Sequence, residues 1–113
     1  MAARQREKAD LLRGTLDLLI LGTLGLRPLH GVAVADRIRQ VTGGTFVVPP
    51  GSLFPALHRL EHDGWIAGTW EANDQGRRVK TYALTSSGRR KLAHEQRQWT
   101  RIVEAVGQVI QTG

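Results

Sequence analysis

The stretch of residues 52–85 constrains the fold of this chain more than any other part of its sequence. Its first half reads SLFPALHRLEHDGWI, in which Leu53, Leu57 and Leu60 recur at helical spacing. This spacing predicts an amphipathic helix that buries its leucine face and ends at Gly64, because glycine accommodates a left-handed backbone. The second half ends in GRRVKTYALT, where three cations lie beside a turn. We therefore expect a helix that leads directly into a basic β-hairpin.

The boundaries of these elements follow from local chemistry. Ser52 is expected to cap the helix, with its hydroxyl accepting a hydrogen bond from a free backbone N–H. Pro55 is then expected in the first turn, where a missing N–H costs nothing. Residues 66–71 and 77–84 are predicted strands, joined by the polar turn at 72–76, which contains glycine.

Two further helices are predicted upstream. In residues 10–26, leucines cover most of a helix circumference, which implies burial on more than one side, and Pro28 ends this helix. Residues 31–42 form a shorter helix with one apolar face, closed by Gly43. The β-branched residues 45–48 could add one small strand.

A last helix is predicted from a cap at Thr85 or Ser86 to about residue 112, about 40 Å at 1.5 Å per residue. Apolar residues repeat along it about every seven positions, with arginines outside this seam. A domain of this size has little surface left to cover the seam, and the first helix is also too apolar to stand alone. Packing the seam against the first helix of a second copy would bury both apolar surfaces. The alternative is that the seam packs against its own domain. The residues expected at the dimer contact are Leu16, Leu19, Leu92, Trp99, Ile102, Val103, Val106 and Ile110.

This order of elements predicts a mainly α fold with a small antiparallel β-hairpin, namely a winged helix-turn-helix with a long carboxy-terminal dimerisation helix. The expected organisation is a flexible tail at residues 1–9, a winged-helix domain at 10–85 and the dimerisation helix at 86–113.

Composition bounds the function. Lys and Arg number 16 against 10 Asp and Glu, giving a net charge of +6, and thirteen of those cations are Arg. This balance favours a polyanionic partner, and Arg suits phosphate and guanine, although a merely basic surface is the alternative. The lack of cysteine excludes disulfides, thiolate catalysis and cysteine-ligated zinc. No secretory signal or membrane-spanning run is apparent, so we expect a soluble cytoplasmic protein without a membrane partner.

The third helix and the hairpin carry the candidate DNA contacts. On the helix, the residues that face away from the leucines can reach base edges and phosphates, and Arg59 could make a bidentate contact to guanine. On the hairpin, cations beside the turn could bind flanking phosphates or enter the minor groove. The alternatives are a solvated helix face and an edge strand protected by its charges. The expected DNA-binding residues are Ser52, Phe54, Pro55, His58, Arg59, Arg77, Arg78 and Lys80.

Two other classes of function compete with DNA binding. The string from His58 to His62 reads H-x-x-E-H, an inverted zinc-protease motif that would use Glu61. A zinc site would need a third ligand, and a zinc hydrolase would also need a substrate cleft. So short a chain cannot easily build such a cleft, so a zinc-dependent hydrolase is the remote alternative. The second competing function is a protein-interaction module, in which the winged helix binds another protein. We expect no enzymatic activity, no metal and no cofactor.

Four segments resemble, in order and spacing, the PadR family of bacterial transcriptional regulators. They are LLRGTLDLLIL at 11–21, PLHGVAVADRI at 28–38, GSLFPALHRLE at 51–61 and GRRVKTYALT at 76–85. The resemblance implies a dimeric winged-helix regulator, usually a repressor, that leaves its DNA operator when an effector binds. A two-fold dimer would hold its reading helices about 34 Å apart, matching a palindromic operator.

The single carboxy-terminal helix resembles the compact subgroup of that family. In that subgroup a tryptophan-lined site at the dimer interface can hold a flat aromatic effector, and Trp99 would correspond to it. Phe54 departs from the tyrosine that the family often has, and Thr81 stands where an aromatic residue is frequent.

Overall fold

The computed structural model describes residues 14–112, which form four helices and three short strands. Helix α1 is helical at residues 14–24, and the remaining elements are β1 (Leu29–His30), α2 (Gly31–Val41), α3 (Pro50–His62), β2 (Ile66–Ala72), β3 (Arg78–Leu84) and α4 (Ser86–Thr112). The predicted fold class is confirmed: a mainly helical chain with a small antiparallel sheet. The expected tail at residues 1–9 lies outside the described residues.

The core lies where α1, α2, α3 and the sheet meet. Leu53, Leu57 and Leu60 of α3 are all buried, as their spacing predicted. The full set of buried apolar residues is Ile20, Leu21, Leu24, Val34, Ile38, Leu53, Ala56, Leu57, Leu60, Ile66 and Tyr82. Each large side chain among them contributes about 1.5–3 kcal/mol by leaving water, so this cluster fixes the position of α3.

The sheet has the order β1-β3-β2, and both pairings are antiparallel. The predicted hairpin is therefore present, but a third strand at Leu29–His30 joins its other side. The prediction of a strand at 45–48 is wrong, because that segment is an irregular connector between α2 and α3. Val48 packs against the core, and the apolar side chains of this segment line a groove together with Leu16 and Leu19 of α1.

Helix α3 begins earlier than expected. Pro49 is its N-cap and makes no side-chain cap bond, and Pro50 occupies the first position. A proline ring fixes φ at the helical value, so this position favours initiation. The capping role expected for Ser52 is therefore wrong, and its backbone N–H donates to the Pro49 carbonyl at 3.0 Å. Pro55 likewise lies inside the helix instead of in its first turn.

Thr85, one of the two residues expected to cap the last helix, caps α4 and also connects it to the end of α3. The Thr85 hydroxyl accepts a hydrogen bond from the Gly88 N–H at 3.0 Å and donates to the Gly64 carbonyl at 2.6 Å. Gly64 has a φ of 81°, the left-handed conformation predicted for the end of α3. These bonds fix the direction in which α4 leaves the domain.

Candidate nucleic-acid interface

One face of α3 is open to solvent and carries most of the DNA-binding residues that were predicted on this helix. Ser52, Pro55, His58 and His62 are exposed on it, and Phe54 is 38% exposed at its edge. Because the leucines of the opposite face are buried, this surface cannot turn inward. It offers a hydroxyl, an apolar ring and imidazoles, groups that suit phosphate oxygens and base edges.

Arg59 differs from the other residues predicted on this face. Its guanidinium forms an ion pair with Asp17 of α1, and both side chains are about one-third exposed or less. Arg59 therefore faces the flank between α3 and α1, where it ties the two helices together. An arginine has five N–H donors, and within residues 14–112 the Arg59 guanidinium is hydrogen-bonded to Asp17 alone.

Glu61 joins α3 to the hairpin, which we call the wing (residues 66–84). Its Oε1 accepts from Lys80 Nζ at 2.8 Å, and its Oε2 accepts from the Gly68 N–H at 3.2 Å. The hydrogen bond from Lys80 is the main cause of a lowered pKa at Glu61, and the same bond raises the pKa of Lys80. Lys80 thus braces the wing against α3, and the DNA contact expected of it stays a prediction.

The tip of the wing has a defined shape. Asn73 Oδ1 accepts from the backbone N–H groups of Gln75 and Arg77 at 3.0 and 2.9 Å, and Gly76 adopts a φ of 76°. Arg77 and Arg78 are both exposed beside this turn. The tip therefore presents two cations beside a hydrogen-bonded turn.

Trp70 is a residue of this surface that the sequence reasoning missed. It is 57% exposed, and both Arg78 and Lys80 lie over its ring, at 5.4 and 5.8 Å from the centroid. The alternation in β2 could have revealed it, because Ile66, Gly68 and Trp70 share the face that meets α3.

The H-x-x-E-H string does not assemble a metal site among residues 14–112. His58 and His62 are exposed, while Glu61 is engaged by the wing. No group of three or more potential metal ligands comes together in the described chain.

The predicted dimer residues fall into two sets. Leu16, Leu19 and Leu92 are partly buried against their own core, so at Leu92 the last helix packs on its own domain. The second set lies in the distal half of α4, where the predicted dimer residues are between about half and three-quarters exposed: Trp99, Ile102, Val103, Val106 and Ile110. Trp99 also lines a groove of about 220 Å³ between α1 and α4, with Leu18 and Ile102.

An exposed helix face braced to a basic wing on a three-helix core is the architecture of winged-helix DNA-binding transcriptional regulators. The chain belongs to the transcriptional regulator PadR-like family, whose sequence profile matches residues 20–94. Members of this family are regulators, so the expectation that the chain is not an enzyme is confirmed.

Individual relatives agree with this assignment. The chain is 32% identical to transcriptional regulator Rv3488 of Mycobacterium tuberculosis over 85 residues, 75% of this chain and 76% of that protein. A PadR-like transcriptional regulator from Bacillus cereus is 27% identical, with a TM-score of 0.78, 90% of this chain and 97% of that chain covered. A PadR family transcriptional regulator from Eggerthella lenta is also 27% identical, with a TM-score of 0.75 and coverage of 99% and 96%.

No helix within residues 14–112 combines the length and apolar character needed to cross a membrane.

Proposed function

We propose that the chain is a dimeric repressor that binds a palindromic operator, with α3 in the major groove and the wing on the flanking backbone. The observation that carries the proposal is the double contact of Glu61 with Lys80 and Gly68. Because this contact fixes the wing on α3, the open face of α3 and the arginines of the wing tip form one rigid surface. A surface with both parts is suited to simultaneous base and phosphate contacts.

The electrostatic part of this proposal is tested by salt. Binding to duplex DNA should weaken steeply with salt, with a log–log slope of roughly −0.9 for each phosphate contact. Arg77→Ala should weaken binding to all sequences alike and reduce that slope by about 1, whereas His58→Ala should change the sequence preference. Arg97→Ala, on α4, is the matched control for the loss of an exposed arginine. If neither Arg77 nor His58 affects DNA affinity at low salt, DNA binding by this surface is refuted and a protein partner is favoured.

The dimer is supported by the distal half of α4. Six large apolar residues lie exposed there, and such an apolar stripe on a small domain is typical of an interface. Packing against α1 and α4 of a second copy would cover it and set two reading helices on one side of the dimer. Trp99→Arg should therefore give a monomer in sedimentation. Thr100→Arg, which adds the same charge at a neighbouring exposed position outside the seam, should leave the dimer intact.

The release step would use the groove between α1 and α4. A flat aromatic effector stacked on Trp99 would change the angle of α4 and hence the spacing of the two reading helices. A screen of planar aromatic compounds by tryptophan fluorescence, followed by DNA binding, tests this step. Compounds that bind in the groove without altering DNA affinity would refute it.

A further inference from the structure

Trp70 occupies an unusual position for so large an apolar side chain. It lies in the middle of β2, opposite Lys80 in β3, and it is 57% exposed. Tryptophan contributes most to stability when its ring is buried, and here the ring lies beyond the core. Its contacts on the wing are instead two cations, Lys80 and Arg78.

The two cations differ in what holds them. Lys80 Nζ is bonded to Glu61 at 2.8 Å, so its position does not depend on Trp70. Arg78 lies diagonally across the strand pair, opposite Ala72, with its guanidinium carbon 5.4 Å from the Trp70 centroid. Within residues 14–112, Arg78 forms no ion pair. The indole ring is therefore the group that orients the Arg78 guanidinium.

A guanidinium held over an aromatic ring remains able to bind phosphate. A guanidinium can contact an aromatic ring through its flat face, which leaves its N–H donors, lying in the plane of the group, free to point outward from the edge. A free arginine side chain samples many rotamers, and ordering it on binding costs free energy. Holding Arg78 in place before DNA arrives removes part of that cost.

We propose that Trp70 is a positioning residue for DNA binding, which holds Arg78 on the wing so that the edge of its guanidinium meets a phosphodiester of the operator backbone. This inference rests on the proposed DNA-binding function. Trp70 itself acts through Arg78 and not through a contact of its own.

The test is a double-mutant cycle between Trp70 and Arg78, measured as affinity for one duplex across a series of salt concentrations. Trp70→Leu, which keeps an apolar side chain but removes the ring, should weaken binding by about twofold to fivefold, the range of an exposed cation–π contact. Trp70→Phe should restore most of the affinity, because a phenyl ring still stacks. Arg78→Ala should weaken binding at least as much and lower the salt slope by about 1.

The decisive arm is Trp70→Leu in the Arg78→Ala background, where it should have no further effect. Thermal melting of the single variants should stay near that of the parent, because the ring lies outside the core. An equal loss with and without Arg78, or no loss at all in Trp70→Leu, would overturn the positioning role while leaving DNA binding intact. If the parent protein itself shows no salt-dependent DNA binding, the proposed function fails instead.

Discussion

The contact of Glu61 with the wing can be tested through the stability of the fold. Glu61→Gln keeps an oxygen that can accept from the Gly68 N–H but removes the charge that pairs with Lys80. Both side chains are partly exposed, so the pair is screened by solvent and is worth about 0.5–1 kcal/mol. Unfolding entropy of about 2.1 cal/mol/K for each of roughly 100 ordered residues converts this loss into a Tm decrease of about 2–5 °C.

The pH dependence of this loss follows from the signs of the two shifts. The pKa of Glu61 is lowered below its ordinary value of 4.5, so its contribution is complete above that pH and disappears as the pH falls through the lowered pKa. The pKa of Lys80 is raised above 10.5, so its contribution is complete below that pH and is lost as the pH rises through the raised pKa. The difference between parent and Glu61→Gln should therefore be constant from about pH 5.5 to 9.5 and shrink toward zero in acid.

The assay is chemical or thermal unfolding at fixed chain concentration, since the melting of the proposed dimer would depend on concentration. Lys80→Met, which keeps most of the apolar stem, completes a double-mutant cycle with Glu61→Gln. The two changes together should cost less than the sum of the single losses. A pH-independent loss, or strict additivity, would refute the idea that this ion pair braces the wing on α3.

Two glycines give further predictions. Gly88→Ala should destabilise by at least 1–3 kcal/mol, because its Cβ would lie 1.9 Å from the carbonyl oxygen of Trp65, which is backbone and cannot easily yield. Gly51→Ala, in a helix with nothing within 4 Å, is the matched control and should not destabilise; similar melting curves for the two would contradict the close packing of α4. Gly68→Ala would place a Cβ 2.3 Å from Lys80 Cε and so displace the lysine from Glu61. It should lower the Tm by about as much as Lys80→Met does. The two changes combined should lower the Tm no further than either one alone. A further Tm decrease of the same size in the combined variant would contradict this shared cause.

Much of the fold could be predicted because it is encoded locally. The spacing of Leu53, Leu57 and Leu60 identifies the buried face of α3, and all three are buried. Gly64 marks the end of that helix, and the family resemblance, carried by four separate segments, is confirmed over residues 20–94.

What the sequence did not reveal depends on contacts between distant residues. The partner of Arg59 is Asp17, 42 positions away, and nothing in the helix pattern indicates that α1 meets that flank of α3. The two-residue strand at Leu29–His30 has no propensity signal of its own, because it exists only by pairing with β3. The early start of α3 followed from two consecutive prolines whose effect outweighed a favourable capping residue at Ser52.

The central claim, that two copies of this chain read one DNA site through α3 and the wing, is tested most directly by selecting bound fragments from a random DNA pool. The enriched fragments should contain a palindrome with a fixed half-site spacing, bound by two chains per site in sedimentation. Recovery of fragments without a common sequence, or of a site that holds a single chain, would contradict the account.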